Sequence, residues 1–476
     1  MELGNWALIS SPSLLALLPL IIFIVFALLG KGNYLGMFLG IIVGFFLTGQ
    51  DLLSLTNAYT AAISSSTTVI GLLIMFGTGL GVLMTEARIT HTLVYWIVKR
   101  IGINTRAKGK IVLILSSILV CGLLGTLAGG NAIISPILIP ILAALGITPT
   151  VVAVLFKVSG EIGLIVGPLT GVTLITMQVT GLSYGQLMLY AVIPFSLFWL
   201  TGAWIGCNRA QRLTEGTEHY ELSSDISSID SITPTPKEKR NTIIFLISFV
   251  VLITYGILMK QSTSYALTVM LLLAGIIILI AGFPVDEGVK MLSKGIGSQA
   301  STLVLLLNFT VMMDLVNAGE GFTALGNLLS GLAQSGGATA LALVSAVVGG
   351  FGIETAAVLE IQIVAEMFGE MAIKAGLPMG VFAVSILAAT RLTSSVYPTS
   401  NFIGQMITAR CDNTKEALRA NWIGAAFAWA FVLLYARRQP ERIKGFPLLA
   451  ESVRRERQDH RQGLSALLAA EQNFYD

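Results

Sequence analysis

Long stretches of this chain contain no Asp, Glu, Lys or Arg: residues 3–30, 52–85, 111–156, 162–208, 261–285 and 321–353. A helix needs about 20 apolar residues to cross roughly 30 Å of hydrocarbon. Each stretch is long enough for one helix, and several can hold two. Only 12% of the residues are charged, against about 25% in soluble domains, and 54% are hydrophobic. Mean hydropathy is +0.82. A water-facing surface cannot be built from this composition, so the chain reads as an all-α polytopic membrane protein.

Several function classes drop out early. Cys121 and Cys207 lie in or beside apolar helices and Cys411 in a distant short segment, which argues against a disulfide framework or metal cluster. His91, His219 and His460 are scattered through connecting and tail segments, so no histidine site is supported. Gly77-Thr-Gly-Leu-Gly81 resembles the start of a nucleotide loop but sits within an apolar helix, without a preceding strand or a following Lys-Ser/Thr. Close helix packing explains it better. With no nucleophile–base set and no large soluble domain, an enzyme or an ATP-driven pump is not expected. The net charge of +3 sits mostly in connections and the tail, so it bears on topology and not on nucleic acid. The first helix lacks a basic leader and a small-residue cleavage site, and is read as a retained span.

Apolar helices are expected near 13–29, 34–49, 66–85, 149–178 and 186–207, and again near 243–259, 264–282, 299–318, 378–408 and 415–436. Between the sets, 208–240 is Ser-rich, holds Pro234 and Pro236, and reads as a solvent-exposed linker. The expected organisation is a first transmembrane repeat (1–207), the linker (208–240), a second repeat (241–436) and a charged tail (437–476).

Two segments differ from simple spans. Residues 109–146 and 338–375 each read as two shortish helices meeting at a glycine-rich centre, Gly125-Thr-Leu-Ala-Gly-Gly-Asn131 and Gly349-Gly-Phe-Gly-Ile-Glu-Thr355. Irregular backbone at membrane depth persists only where protein or a wet cavity satisfies it, so both are read as re-entrant hairpins with tips at a central cavity. A long interrupted helix follows each one: 149–178, broken at Val166-Gly-Pro-Leu-Thr-Gly-Val-Thr173, and 378–408, broken at Leu392-Thr-Ser-Ser-Val-Tyr-Pro-Thr-Ser-Asn401. Amphipathic stretches at 89–102 and 321–333 precede the hairpins. Superposing Pro168 on Pro398 aligns the breaks and sets Glu161 against Arg391.

Positive charge gives the orientation. Segments 30–33, 86–110, 208–240, 283–298 and 409–419 hold 17 Lys and Arg, while the opposite connections hold Lys260 and Lys374. The basic side is cytoplasmic by the positive-inside rule. About five crossings per half then make the two repeats inverted, an arrangement typical of transporters. The eight Lys and Arg of 437–476 are placed outside by this count, against the rule.

Charges at bilayer depth are costly and default to functional candidates: Lys157, Glu161, Asp314, Glu354, Glu360, Glu366, Glu370 and Arg391. Lys157 and Glu161 are four apart on one helix face and can pair. Arg391 is the candidate for an anionic substrate, because its planar fork matches a carboxylate and stays charged. Thr393, Ser394, Ser395 and Ser400 offer neutral donors nearby, and Asn131 faces them from the first tip. The competing reading of Arg391 is a structural pair with Glu354 or Glu360. Glu354 suits a cation or proton site. Glu366 and Glu370 fit a solvated face, and Asp314 a span end.

Paired hairpins followed by broken helices resemble the ion transporter superfamily, which includes citrate-metal symporters, gluconate permeases, anaerobic dicarboxylate carriers and divalent anion:sodium symporters. The resemblance covers about 30–436. Its matching motifs here read Gly130-Asn131-Ala132, Gly167-Pro168-Leu169-Thr170, Glu354-Thr355-Ala356 and Thr399-Ser400-Asn401. In the divalent anion symporters the corresponding Ser-Asn-Thr motifs hold sodium and substrate carboxylate. The resemblance therefore adds Thr170 and Asn401 to the substrate candidates, and Thr355 to Lys157, Glu161 and Glu354 for the coupling ion. It implies a secondary carrier of a small organic anion, coupled to H+ or Na+ with no cofactor, working by elevator-like movement as a homodimer in a bacterial inner membrane. The alternatives are a cation/proton antiporter using Glu161, Glu354 and Asp314, and a non-alternating channel.

Overall fold

The computed structural model describes residues 1–29, 33–220, 233–259, 264–348, 357–392 and 395–438. These residues are helical throughout, with no strand among them. A short 3-10 turn leads into α1 (Leu18–Leu28), followed by α2 (Asn33–Thr48), α3 (Leu52–Ile63), α4 (Ser66–Glu86) and α5 (Ile89–Ile101). Next come α6 (Arg106–Leu124), α7 (Leu127–Ala144), α8 (Pro149–Val166), α9 (Gly171–Thr180), α10 (Tyr184–Leu187) and α11 (Ile193–Thr214). The second part holds α12 (Pro236–Leu258), α13 (Tyr265–Ala281), α14 (Val285–Ser298), α15 (Ala300–Ala318), α16 (Gly321–Val348) and α17 (Ala357–Lys374). It ends with α18 (Met379–Leu387), a π turn (Ala388–Leu392), α19 (Ser400–Thr408) and α20 (Thr414–Arg438).

Among the described residues, 8 helices are long and apolar enough to cross a membrane. Two helices were not foreseen. The α3 segment carries Ser, Thr and Asn among its apolar residues and begins where the Asp51 side chain accepts from Ser54 N at 2.7 Å. α14 occupies segment 283–298, which the sequence reading left as a connection. Its Asp286, Glu287, Lys290 and Lys294 lie on exposed positions while Gly295 presses against the backbone of Gly79 in α4.

The 208–240 boundary also moves. α11 continues to Thr214, and α12 starts at Pro236 behind a capping box of Thr235 and Glu238. The end of α11 and the residues after it are fastened to the rest of the protein. Gln211 Nε2 donates to Gly146 O (2.8 Å) and Thr214 Oγ1 to Thr148 Oγ1 (2.8 Å). The Glu218 carboxylate accepts from Thr150 N (3.1 Å), Thr150 Oγ1 (2.7 Å) and Asn413 Nδ2 (2.7 Å), and Tyr220 Oη donates to Ala409 O at 2.9 Å. Residues 211–220 thus fill the exposed backbone groups at the α7–α8 turn and touch the α19–α20 turn.

The expected hairpin at 109–146 is the α6–α7 pair, turned by Gly125 at φ 66 with Thr126 as N-cap. Its arms have 19 and 18 residues, longer than the short arms expected, and Asn131 sits inside the first turns of α7. α6 and α8 run backbone to backbone, because Gly122 meets Gly163 and Gly167 where any Cβ would collide. The 338–375 segment corresponds to the part of α16 beyond a kink at Gly337, and to α17. Its tip, with Glu354 and Thr355, lies outside the described residues, as do Thr393 and Ser394.

Packing is reciprocal. α3 packs on α15 and α14 on α4, α7 on α19 and α9 on α17, α8 on α19 and α9 on α18.

Candidate functional site

Four of the described charged residues are buried together where α8, α17 and the π turn meet. Lys157, Glu161, Glu360 and Arg391 are 0%, 1%, 1% and 3% exposed. Lys157 Nζ donates to Glu161 Oε1 at 2.9 Å, and Arg391 Nη1 to Glu161 Oε2 at 2.6 Å. Arg391 Nη2 lies 3.8 Å from Glu360 Oε2, and Nε donates to Thr390 Oγ1 at 3.3 Å. Among the described residues two cations face two carboxylates, and pairing is the condition under which charges tolerate burial. The fork expected to meet substrate is therefore engaged by protein, Glu161 among its partners.

Each charge is placed by its helix. Lys157 and Glu161 occupy successive turns of α8, whose face toward the bundle is otherwise apolar or small. Arg391 sits in the π turn that follows α18. The wider winding of a π segment displaces side chains from the α register, and here Arg391 faces α8.

The first break is satisfied by hydroxyls. Thr173 Oγ1 donates to Ile165 O (3.0 Å), Thr170 Oγ1 to Gly167 O (3.0 Å) and Tyr184 Oη to Val166 O (2.7 Å), taking up carbonyls that the end of α8 leaves open. Thr170 also caps α9, accepting from Thr173 N at 3.3 Å. At the second break, α20 gives support: Asn421 Nδ2 donates to Ser395 O at 3.0 Å and Trp422 Nε1 to Val396 O at 2.8 Å. Ser395 is buried, and its hydroxyl donates to Arg391 O at 3.0 Å. Thr399 caps α19 by accepting from Phe402 N at 3.3 Å, while Ser400 is exposed and Asn401 half-buried.

Asn131 is a buried tie. Its Oδ1 accepts from Ser117 Oγ at 2.7 Å and Cys121 Sγ at 3.5 Å. Its Nδ2 donates to Phe156 O at 2.9 Å and to Gln405 Oε1 at 2.7 Å, so four helices meet at one amide. The remaining charged candidates among the described residues are Asp314, Glu366 and Glu370. Asp314 is on α15, which packs on α2, α3 and α4. Glu366 is exposed, and Glu370 makes a surface bridge to Lys374 at 3.5 Å. No group of three His, Cys, Asp or Glu comes together among the described residues.

Sequence reasoning missed Thr173, Tyr184, Thr399 and Gln405. Thr399 caps α19, where a capping search would have found it, while Thr173 stands three residues after the α9 cap Thr170. Tyr184 and Gln405 act across the fold and leave no local signal.

A family profile described as "Tripartite ATP-independent periplasmic transporter, DctM component" matches residues 20–435. No curated protein matches the chain by sequence. Among solved structures, MtrF of Neisseria gonorrhoeae, described with a class of antimetabolite efflux pumps, is similar with a TM-score of 0.53 at 15% identity, covering 91% of this chain and 96% of its own. The YdaH transporter of Alcanivorax borkumensis is similar with a TM-score of 0.53 at 15% identity, covering 81% of this chain and 86% of its own. At this identity the two show a shared fold alone. The family match overturns the resemblance to citrate-metal symporters, gluconate permeases and their relatives: the arrangement of hairpins and broken helices is not peculiar to them, and the Ser-Asn-Thr motif of the divalent anion symporters is absent here. The chain is a membrane transporter and not an enzyme, and it belongs to the family of the DctM component of tripartite ATP-independent periplasmic transporters.

Proposed function

We propose that this chain is the inner-membrane permease of a tripartite carrier that takes up a small organic anion, a carboxylate, together with H+ or Na+. The observation that carries the reading is the charged group Lys157, Glu161, Glu360 and Arg391, buried between two helix breaks in a chain of a transporter family. Buried charge at membrane depth marks transport pathways.

The family description, "tripartite" and "ATP-independent", calls for two further components and an ion gradient. This replaces the homodimer, which rested on the discarded resemblance. The anion would lie between the first break (Thr170) and the second (Ser395, Ser400, Asn401), with Glu354, Thr355, Thr393 and Ser394 completing the site. The positive ends of α9 and α19 favour a carboxylate there.

Alternating access would come from two inverted repeats. Their support is the recurring order of helices and the reciprocal packing of α3 on α15 with α14 on α4. The hairpins and broken helices would move as one body against a scaffold that includes α2, α4, α13 and α15, in an elevator-like step.

The test is uptake into liposomes holding this chain and its two partner components, under an imposed Na+ or pH gradient. Monocarboxylates, dicarboxylates, tricarboxylates and sugar acids are compared, with thermal stabilisation of the chain by each anion measured in parallel. Accumulation of one anion class against its gradient supports the reading. Cation/proton exchange with no anion accumulated would replace it by the antiporter.

A further inference from the structure

We infer that the Glu161–Arg391 bridge is a positioning device that fixes the two helix breaks relative to each other, and that the substrate carboxylate does not land on Arg391. The inference rests on the transport reading above and changes what Arg391 does within it.

Both partners of the bridge are occupied by protein groups. Glu161 uses both oxygens, Oε1 for Lys157 at 2.9 Å and Oε2 for Arg391 at 2.6 Å. Arg391 directs Nη1 to Glu161, Nε to Thr390 and Nη2 toward Glu360. A substrate carboxylate on Nη1 would have to displace Glu161. Anywhere on this guanidinium it would stand beside Glu161 and Glu360, both 1% exposed, and buried like charges are strongly disfavoured.

The bridge also lies close to both breaks. Glu161 stands five residues before the end of α8 at Val166, and Arg391 lies in the last turn described before the second break. Their bridge therefore ties together the two helix ends that border the proposed substrate site. Glu360 extends the tie to α17, the arm that follows the second hairpin tip. Arg391 is further held from its own backbone, where Ser395 Oγ donates to Arg391 O. A charge pair shared by α8, the π turn and α17 keeps these pieces in one register while they move.

Four variants test this: Glu161→Gln, Arg391→Gln, the double neutral Glu161→Gln/Arg391→Gln, and the swap Glu161→Arg/Arg391→Glu. Each is read by thermal unfolding without ligand and by KM and Vmax for the anion that the wild type transports. A positioning pair predicts that both single variants unfold well below wild type and that the double neutral loses much less than the sum of the two. It also predicts that the double neutral keeps KM within about twofold while Vmax falls about tenfold or more, the signature of a residue that does not hold substrate in its ground state. Additive unfolding losses overturn the proposal. So does a KM that rises about tenfold in both Arg391→Gln and the double neutral, since a ligand is lost in each. If the neutral variants do not fold, the swap decides: folded protein with uptake above either single variant supports the pair, and a swap no better than the singles overturns it. Should the wild type transport no organic anion, the functional reading fails, while the unfolding cycle still decides whether the pair is coupled.

Discussion

Glu161 and Arg391, 230 residues apart in the chain, are joined by a 2.6 Å hydrogen bond with both side chains buried. The sequence alignment of the two breaks sets these same positions opposite each other. Residues related by a twofold axis meet each other directly only near that axis, so the bridge would sit where the two proposed repeats touch. Opposite charges at this point attract, whereas an identical pair would repel.

Lys157 pairs with Glu161 at 2.9 Å, and its loss removes one of the cations that face this buried carboxylate. Lys157→Met is expected to destabilise the protein by about 3–5 kcal/mol, the usual cost of removing one partner of a buried pair. The comparison is Lys374→Met, which removes the bridge to Glu370 between side chains 78% and 61% exposed. That change should cost about 0–1 kcal/mol. Thermal unfolding of the two variants in one detergent measures the difference; equal shifts would show that the buried group is not held by its charges.

Asn131 makes its bonds in all directions at once. Asn131→Ala leaves the Phe156 carbonyl, the Gln405 side chain and the Ser117 hydroxyl without this partner. A loss of about 2–4 kcal/mol is expected from the unsatisfied groups. Cys121, buried against the same amide, should also become reactive to a small maleimide. Unchanged labelling of Cys121 in a folded variant would show that the four helices do not depend on this tie.

Glu218 gives a second chemical readout. Its carboxylate joins Thr150 to Asn413, and Cys411 Sγ lies 3.5 Å from Thr150 Oγ1. Burial raises the Cys411 thiol pKa and slows its alkylation. Glu218→Ala removes charge-assisted hydrogen bonds valued at about 1.5–3 kcal/mol. Labelling of Cys411 should quicken about tenfold or more, and only from the cytoplasmic side of oriented vesicles. Labelling from the other side would overturn the orientation read from the basic residues.

His91 on α5 supplies a pH dependence. Burial first, and then the Arg88 charge, lower its pKa from the ordinary value of 6.5. Its ring nitrogen lies 3.4 Å from the Arg88 guanidinium. The folded protein thus holds His91 neutral where the unfolded chain takes up a proton, and stability falls as pH drops below about 6.5, levelling off beneath the folded pKa. The ring is only partly buried, so solvent discounts the effect. His91→Gln should remove that part of the slope, seen as a smaller fall in melting temperature between about pH 7 and pH 5.5. An identical profile in the variant would show that other groups carry it.

Much of this fold could be read from where charge is missing. The apolar runs predicted the membrane class, and Pro168 and Pro398 marked both breaks, because proline and glycine leave local traces. α3 and α14 escaped because one is short and half polar and the other is amphipathic, so neither reads as a span. The charged residues were picked out by their cost in lipid, but which of them pair depends on tertiary placement. Nothing near Arg391 in the sequence names Glu161 as its partner. The family was misread because hairpins and broken helices are shared by several groups of carriers, while the differences lie in the short motifs at their tips.

The fastening of residues 211–220 has a bearing on the order in which the chain is made. When Glu218 emerges during synthesis, Thr150 is already present, and the carboxylate can close on the start of α8 within the early part of the chain. Asn413 follows 195 residues later and finds that carboxylate already held in place. Chains fold largely from the N-terminal side as they are produced, so the late-made α19–α20 turn meets a prepared receptor and not a loose end. One glutamate thereby serves first as a clasp for what has been built and then as a landing mark for what comes last.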